Sequence, residues 1–352
     1  MKPALRVMAW LVGMCVAVYL LYWIAVYGLA ITHRYQPAEA ALAVEGKCNP
    51  SNWPEKLSVM TWNLGYGGMA AEDDFFLDGG HNVLANDKKS VLRHLASMTA
   101  VLQKHPVDLY LLEEVDSDSW RSYSVDERKE LTEGADGCCS SYALNHDVFF
   151  LPYPKLRPLG RVRSGMLALG RFRPTEGKRI QLHGLFPWPD RAFQMERCLL
   201  VWKLPREDGK NWTIIQVHLE AWDAGNIRAA ELAQLRELAL KEYSAGNFVV
   251  LGGDWNAVLP GVRMDEFTQR KPSAHLLKLN EDFLPSGWTW GIDRSRPSNR
   301  STNAPYHPPK NYLTVIDGFV VSPNVRIDSV ETIALNFQDT DHEPVQIELS
   351  SQ

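Results

Sequence analysis

The chain has 352 residues, 45% hydrophobic and 22% charged, with a net charge of −5. Twelve each of Trp, Tyr and Phe carry too much apolar area for a disordered chain, five Cys are too few for a disulfide-built miniprotein, and the acid excess excludes a polycation that coats nucleic acid. No fixed period runs along the sequence, which excludes collagen, coiled coils and repeat arrays.

Val7 to Thr32 contains no charged residue. A helix of that length crosses a bilayer core of about 30 Å with some tilt. Trp10, Tyr19, Tyr22, Trp23 and Tyr27 supply interfacial aromatic groups. Lys2 and Arg6 precede the run, and Arg34 alone follows closely, so the positive-inside rule puts the N-terminus in the cytoplasm and the rest in a periplasmic or extracellular space. Ala38-Glu39-Ala40 offers a cleaved signal peptide as the rival reading, but the apolar run is longer than an ordinary signal core and ends well before that site. We therefore expect residues 1–32 to be a cytoplasmic tip and transmembrane anchor, 33–56 a linker with Pro37, Pro50 and Pro54, and 57–352 one catalytic domain. Three of the 37 Lys and Arg lie in residues 1–36, which leaves 34 against 42 Asp and Glu and a net charge of −8 outside. An anionic substrate then needs a local basic patch or metal ions. In an oxidising space Cys48 can bridge to Cys138 or Cys139.

Along the domain, Leu57–Trp62 reads as a strand, followed by a loop with Gly65, Gly67 and Gly68. Val91, Leu92, Leu95, Met98, Val101 and Leu102 give helical spacing over Lys88–Lys104. Val107–Leu112 reads as a buried strand, and residues 117–142 as polar and irregular. Phe149–Tyr153, Met166–Leu169, Cys198–Leu204 and Trp212–Val217 are strand candidates. Asn226–Tyr243 is an amphipathic helix with Gly246 just past its end. Phe248–Leu251 is a strand, residues 286–311 a long loop, and Tyr312–Val321 and Val345–Leu349 the last strands. Strands outnumber helices about two to one, which argues for two sheets face to face with helices outside.

Polar residues recur where these strands end: Asn63, Glu113-Glu114, His218, Asp254-Trp255-Asn256, Asp317 and Asp341-His342. A single Asp at a strand end is ordinarily a cap or turn residue. Six such stations converge if the strands are neighbours. Carboxylates, Asn and His with little Cys are a donor set for a hard cation, Mg²⁺ or Mn²⁺.

The series TWN, LLEEV, QVHL, GGDWN, IDGF and TDHEPV, with SGMLALGRF between, resembles the endonuclease/exonuclease/phosphatase superfamily over about residues 57–349. Departures are Glu113 for a usual Gln, Trp255 for Phe and Thr340 for Ser. The resemblance implies a four-layer α/β/β/α sandwich, here preceded by one transmembrane helix. It implies metal-site roles for Glu114, Asn63 and Asp341. It also implies that Asp254 handles the attacking water, Asn256 orients phosphate or that water, His342 stands beside the scissile phosphate, Asp317 orients His342, and His218 is a second catalytic histidine. Strand alternation turns Glu113 away from the site. Arg161, Arg163, Arg191 and Arg197 are candidate phosphate clamps, and Asp73, Asp74, Asp78 and His81 candidate border residues. The implied activity is metal-dependent phosphodiester hydrolysis, with nucleic acid or a phospholipid head group as substrate, membrane attachment through the N-terminal helix and no protein partner evident. A phosphomonoesterase acting on inositol phosphates or phosphoinositides, and a non-catalytic module that binds an anionic ligand, are the alternatives. Asn211-Trp212-Thr213 and Asn299-Arg300-Ser301 are glycosylation sequons.

Overall fold

In the computed structural model the described residues are 3–352 apart from 38, 50–54, 136–137, 224 and 309, so Lys2, Ala38, Pro50 and Pro54 lie outside them. The helices are α1 (Pro3–Thr32), α2 (Lys88–Lys104), α3 (Glu127–Gly134) and α4 (Asn226–Ser244). The strands run β1 (Ala40–Ala41), β2 (Lys56–Asn63), β3 (Leu109–Asp116), β4 (Cys139–Leu151), β5 (Gly160–Gly170), β6 (Glu176–Gln181), β7 (Cys198–Pro205), β8 (Asn211–His218) and β9 (Phe248–Asp254). They continue as β10 (Ala257–Val258), β11 (Leu277–Lys278), β12 (Thr289–Gly291), β13 (Asn299–Arg300), β14 (Leu313–Thr314), β15 (Asp317–Val321), β16 (Val325–Thr332) and β17 (Val345–Ser351).

Side chains of a strand alternate between its two faces, and that period builds the layers. On β2, Leu57 and Val59 enter the core shared with the other sheet, while Met60 and Trp62 face Val91, Leu95 and Met98 of α2. From the opposite sheet, Trp202, Trp212, Val250 and Phe319 fill the shared core, and Val249 and Leu251 pack outward against Leu235 and Ala239 of α4. The result is the four-layer α/β/β/α sandwich, with a six-stranded sheet in the order β16-β17-β2-β3-β5-β4 and a seven-stranded sheet in the order β1-β6-β7-β8-β9-β15-β12.

Each large sheet holds one parallel pair, β2 with β3 and β8 with β9. Parallel neighbours need a crossover, and α2 and α4 supply them. The carboxyl ends of the four strands therefore emerge at the same end of the sandwich. Register then sets the side chains: Asn63 pairs with Glu113, His218 with Asp254, and Asp254 with Asp317.

Three segments differ from the sequence expectation. Residues 117–142 contain α3 and the start of a long β4–β5 hairpin, and β6 and β16 are additional strands. The long loop contains β12 and β13. On α4 the buried stripe is Arg228, Glu231, Leu235, Ala239 and Glu242, so three ionisable residues share it with two apolar ones.

The stretch after α1 is laid across the sandwich. Ala40–Ala41 pairs with β6 of one sheet, Glu45 bridges Ser140 of the other, and Cys48 is disulfide-bonded to Cys139. The helix α1 docks only by its C-terminal third: Pro3–Tyr22 are exposed throughout, while Val26 and Ala30 are buried.

Candidate active site

The strand ends place Asn63, Glu114, His218, Asp254, Asn256, Asp341 and His342 on one cavity of about 540 Å³. Asn63 holds two carboxylates together, its Nδ2 donating to Asp254 Oδ2 at 3.1 Å and Glu114 Oε1 at 3.4 Å. Its own Oδ1 accepts from Gly65 N, which fixes the amide's orientation. His218 Nε2 lies 3.9 Å from Glu114 and 3.8 Å from Asp254, and His342 Nε2 lies 3.9 Å from Asp254.

Two of these side chains are aimed by unusual backbone. The β3–β5 register shifts between Leu112 and Val115, and Glu114 sits in that bulge at φ 54°. A bulge re-aims one side chain. Glu113 stays in the inward row, fully buried, and accepts from Gln216 Nε2 at 2.8 Å and from the Thr61 hydroxyl. Burial holds its carboxyl well above the usual carboxylate range. Asn256 follows β9 at φ 46°; its backbone N–H donates to Asp254 Oδ1 at 2.8 Å and its amide to Leu219 O. Non-glycine residues in this region carry strain of order 1–3 kcal/mol, a feature that clusters at functional sites.

Asp317 accepts from His342 Nδ1 at 2.9 Å and from the Ser298 hydroxyl at 2.7 Å. Asn299 Nδ2 lies 3.0 Å from His342 Nε2, so in this arrangement Nε2 accepts and the ring proton sits on Nδ1 against Asp317. Burial would lower the basicity of His342, but Asp317, Asp341 and Asp254 outweigh it and hold the imidazole well above its ordinary value. A second proton would require the Asn299 amide to turn. Burial, with Arg197 and other cations nearby, keeps His218 well below its ordinary value and therefore neutral. The two imidazoles are thus pushed apart, the pattern expected of groups with different proton-transfer duties.

Burial also drives Asp254 up to about 7 and Asp341 up to about 6. Such a group of crowded carboxylates favours a cation. Asp254, Asp317 and His342 each offer one atom within 4.8 Å of the others. Asp317, however, is already committed to His342 and Ser298. The oxygens left to face a cation are the carboxylates of Glu114, Asp254 and Asp341, with Asp341 tied in through Thr340, whose hydroxyl contacts Asn63 O and Asp341 Oδ1. Asn63, expected as a metal-site residue, turns Nδ2 toward Glu114 and Asp254 and keeps Oδ1 on Gly65 N, so it positions these carboxylates. All-oxygen donors suit Mg²⁺ or Mn²⁺.

Of the remaining sequence candidates, Arg197 and Asp78 reach the cavity and the others do not. Arg161, Arg163 and Arg191 pair with Asp118, Asp147 and Glu196. Arg197 lines the cavity but is held by Glu220 and the His218 carbonyl. Asp78 borders the cavity and accepts from Thr302; Asp73 and Asp74 organise their own loop, and His81 is exposed. Both sequon asparagines are half-buried, Asn211 against Asn247 and Asn299 in the site itself. The sequence reading gave no site role to Asn299, Ser298 or Arg121. Arg121 lines the cavity, stacks on Tyr66, chelates Asp116 and lies 3.9 Å from Glu114. Only its place near the LLEEVD motif hinted at it.

The sequence pattern of the Endonuclease/Exonuclease/phosphatase family matches residues 60–342. The chain belongs to that family. No relative among curated protein sequences matches it. An endonuclease/exonuclease/phosphatase from Beutenbergia cavernae superposes with a TM-score of 0.58 at 17% identity, over 84% of this chain and 72% of that one. The human Nocturnin catalytic domain, solved with a bound sulfate anion, gives 0.53 at 15% identity, over 86% and 97%. A family protein from Bacteroides thetaiotaomicron gives 0.53 at 16%, over 86% and 97%. At these identities the likeness carries the family fold, whose sandwich is the one described above.

Proposed function

We propose that this chain is a membrane-anchored, divalent-metal-dependent phosphodiester hydrolase, acting on nucleic acid or a phospholipid head group. The observation that carries the reading is the convergence of the Asp317–His342 pair with Asp254, Asn63, Glu114 and His218 on one cavity. Glu114 and Asp341 would hold the cation, with Asn63 positioning Glu114 and Asp254 beside it through Nδ2. The cation when bound neutralises phosphate charge and stabilises the charge that develops on hydrolysis. Asp254 would hold the attacking water through its carboxylate. His342, oriented by Asp317, would stand beside the phosphorus and manage a proton at Nε2. Neutral His218 and the strained Asn256 would bond phosphate oxygens. The water oxygen bonds phosphorus, one P–O ester bond breaks, and the alcohol leaves with a proton. The sulfate in the Nocturnin domain, a tetrahedral oxyanion in a protein of the same fold, supports a phosphate ligand here.

Anchoring is supported by α1, 30 residues long and apolar enough to cross a membrane, and by its docked C-terminal third. In this reading residues 1–32 are the anchor, 33–56 the connection and 57–352 the catalytic domain. The bridge of Cys48 to Cys139 supports an oxidising, non-cytoplasmic side for the domain.

The test is turnover of bis(p-nitrophenyl) phosphate by the metal-stripped full-length protein, with Mg²⁺ or Mn²⁺ restored. Metal-dependent release that vanishes in Asp254→Ala is the expected result. Turnover that survives chelation, or survives that substitution, overturns the proposal. Release of inorganic phosphate from monoesters alone would move the reaction to a phosphomonoesterase.

A further inference from the structure

The cavity does not open into bulk solvent on all sides. Its wall includes Trp23 and Tyr27 of α1 together with Phe76, Tyr153, Phe193 and Trp222. One continuous cavity therefore runs from His342 and Asp254 to the membrane helix. Counting twenty residues from Val7, the first uncharged position, ends at Val26. At 1.5 Å per residue that is about 30 Å, the thickness of the hydrocarbon core. The outer bilayer surface then falls at Tyr22–Tyr27, where Trp23 and Tyr27 form the cavity wall and aromatic side chains favour the interface.

Two loops flank this point. Residues 149–159 read FFLPYPKLRPL, with Leu156 97% exposed between exposed Lys155 and Arg157. His33, just past α1, stacks on Phe149 at 5.0 Å. In the second loop Trp188 is 54% exposed, 6.2 Å from the ring of Tyr27, and Phe193 lies 5.6 Å from that ring. Exposed apolar groups are ordinary when scattered. Here they gather beside the end of a membrane-length helix, with cations interleaved, which is the composition of an interfacial segment.

We infer that the site opens onto the outer leaflet and that its substrate is a bilayer-resident phospholipid. The head-group phosphodiester reaches Asp254 and His342 while the acyl chains remain along Trp23, Tyr27 and the 149–159 loop. The hydrolysis is the one given above, with the lipid as diester: water oxygen to phosphorus, one P–O bond broken, the alcohol released with a proton. The inference rests on the anchored phosphodiesterase reading and narrows its substrate.

The experiment uses full-length protein in proteoliposomes of phosphatidylcholine and phosphatidylglycerol, with bis(p-nitrophenyl) phosphate and plasmid DNA offered separately. Leu156→Glu is expected to lower hydrolysis of vesicle lipid at least tenfold and to leave bis(p-nitrophenyl) phosphate turnover within twofold. Unchanged lipid hydrolysis in Leu156→Glu, or cleavage of DNA without cleavage of lipid, overturns the inference while the phosphodiesterase reading stands. Loss of that reading shows instead as soluble-diester turnover that survives Asp254→Ala. A second measurement is independent of catalysis: a spin label on Leu156→Cys, in a Cys15→Ser background, is expected to be more accessible to oxygen than to a water-soluble nickel chelate. A fully water-exposed label overturns the membrane-facing mouth.

Discussion

At the scale of single residues, the site depends on which groups hold others in place. Asp317 touches no open face of the cavity and acts through His342 Nδ1. Removing the imidazole with His342→Ala is expected to lower kcat on bis(p-nitrophenyl) phosphate by about 10²- to 10⁴-fold, the range for a lost proton-transfer group. The thermal midpoint should change little by comparison. Asp317→Asn keeps the shape but loses the charge that raises His342. Its expected signature is a pH–rate profile whose histidine limb moves to lower pH. An Asp317→Asn profile superposable on the wild-type one would remove Asp317 from this role. Glu113 illustrates a different residue effect: burial holds its carboxyl well above the usual carboxylate range, and it takes the hydrogen bond from Gln216 in the row below the site.

At the scale of elements, each helix that crosses between parallel strands is fixed at its start by an aspartate. Asp87 accepts from Ser90 N, and the Ser90 hydroxyl oxygen accepts from Asp87 N, a capping box on α2. Asp223 accepts from Gly225 N and Ile227 N at the start of α4. Asp87→Ala should cost about 1 kcal/mol in urea unfolding. On α4, burial pushes the Glu231 carboxyl up to about 8, with Glu220 N as its donor at 2.9 Å. A carboxyl raised in the folded state contributes stability that is present below its unfolded value and is lost as pH rises to the folded one. The wild-type protein should therefore lose stability from Glu231 between about pH 4.5 and pH 8. Glu231→Gln should gain on it progressively over that range, a trend that thermal unfolding from pH 5 to 9 measures. A constant difference between the two proteins would show that Glu231 does not titrate there. This element also shows where sequence reading stops. The bounds of α2 were legible because six apolar residues keep helical spacing, and the strand ends because Asn63, Glu114, His218 and Asp254 interrupt apolar runs. The helix α3 was not, because ERKELTEG buries only Leu131 and Glu127. Nor was the edge strand β16, whose VRIDSVET alternates charge and buries little. Asn299 and Ser298 were hidden for another reason: they reach His342 and Asp317 only through the long loop's path across the sandwich.

At the scale of the whole molecule, residues 39–49 are the strap between the helix and the sandwich. They pair with β6 in one sheet, bridge Ser140 in the other, and end at the bond from Cys48 to Cys139, which closes a loop with a sequence separation of 91. Cross-linking a loop of that size removes unfolded-state freedom worth about 4–5 kcal/mol when the native geometry is unstrained. The paired substitution Cys48→Ser with Cys139→Ser should therefore lower the free energy of unfolding by several kcal/mol, read from urea denaturation. Reducing agent should do the same to the wild-type protein and nothing to the variant. The strand ends that form the candidate site are held by β2, β3, β8, β9 and β15, none of which the strap joins. Turnover of the soluble diester per folded molecule should consequently remain within about twofold, with unfolding read as a single transition in both proteins. A variant that keeps wild-type stability would show that the strap's backbone pairing with the two sheets, rather than its covalent end, fastens the N-terminal helix to the domain.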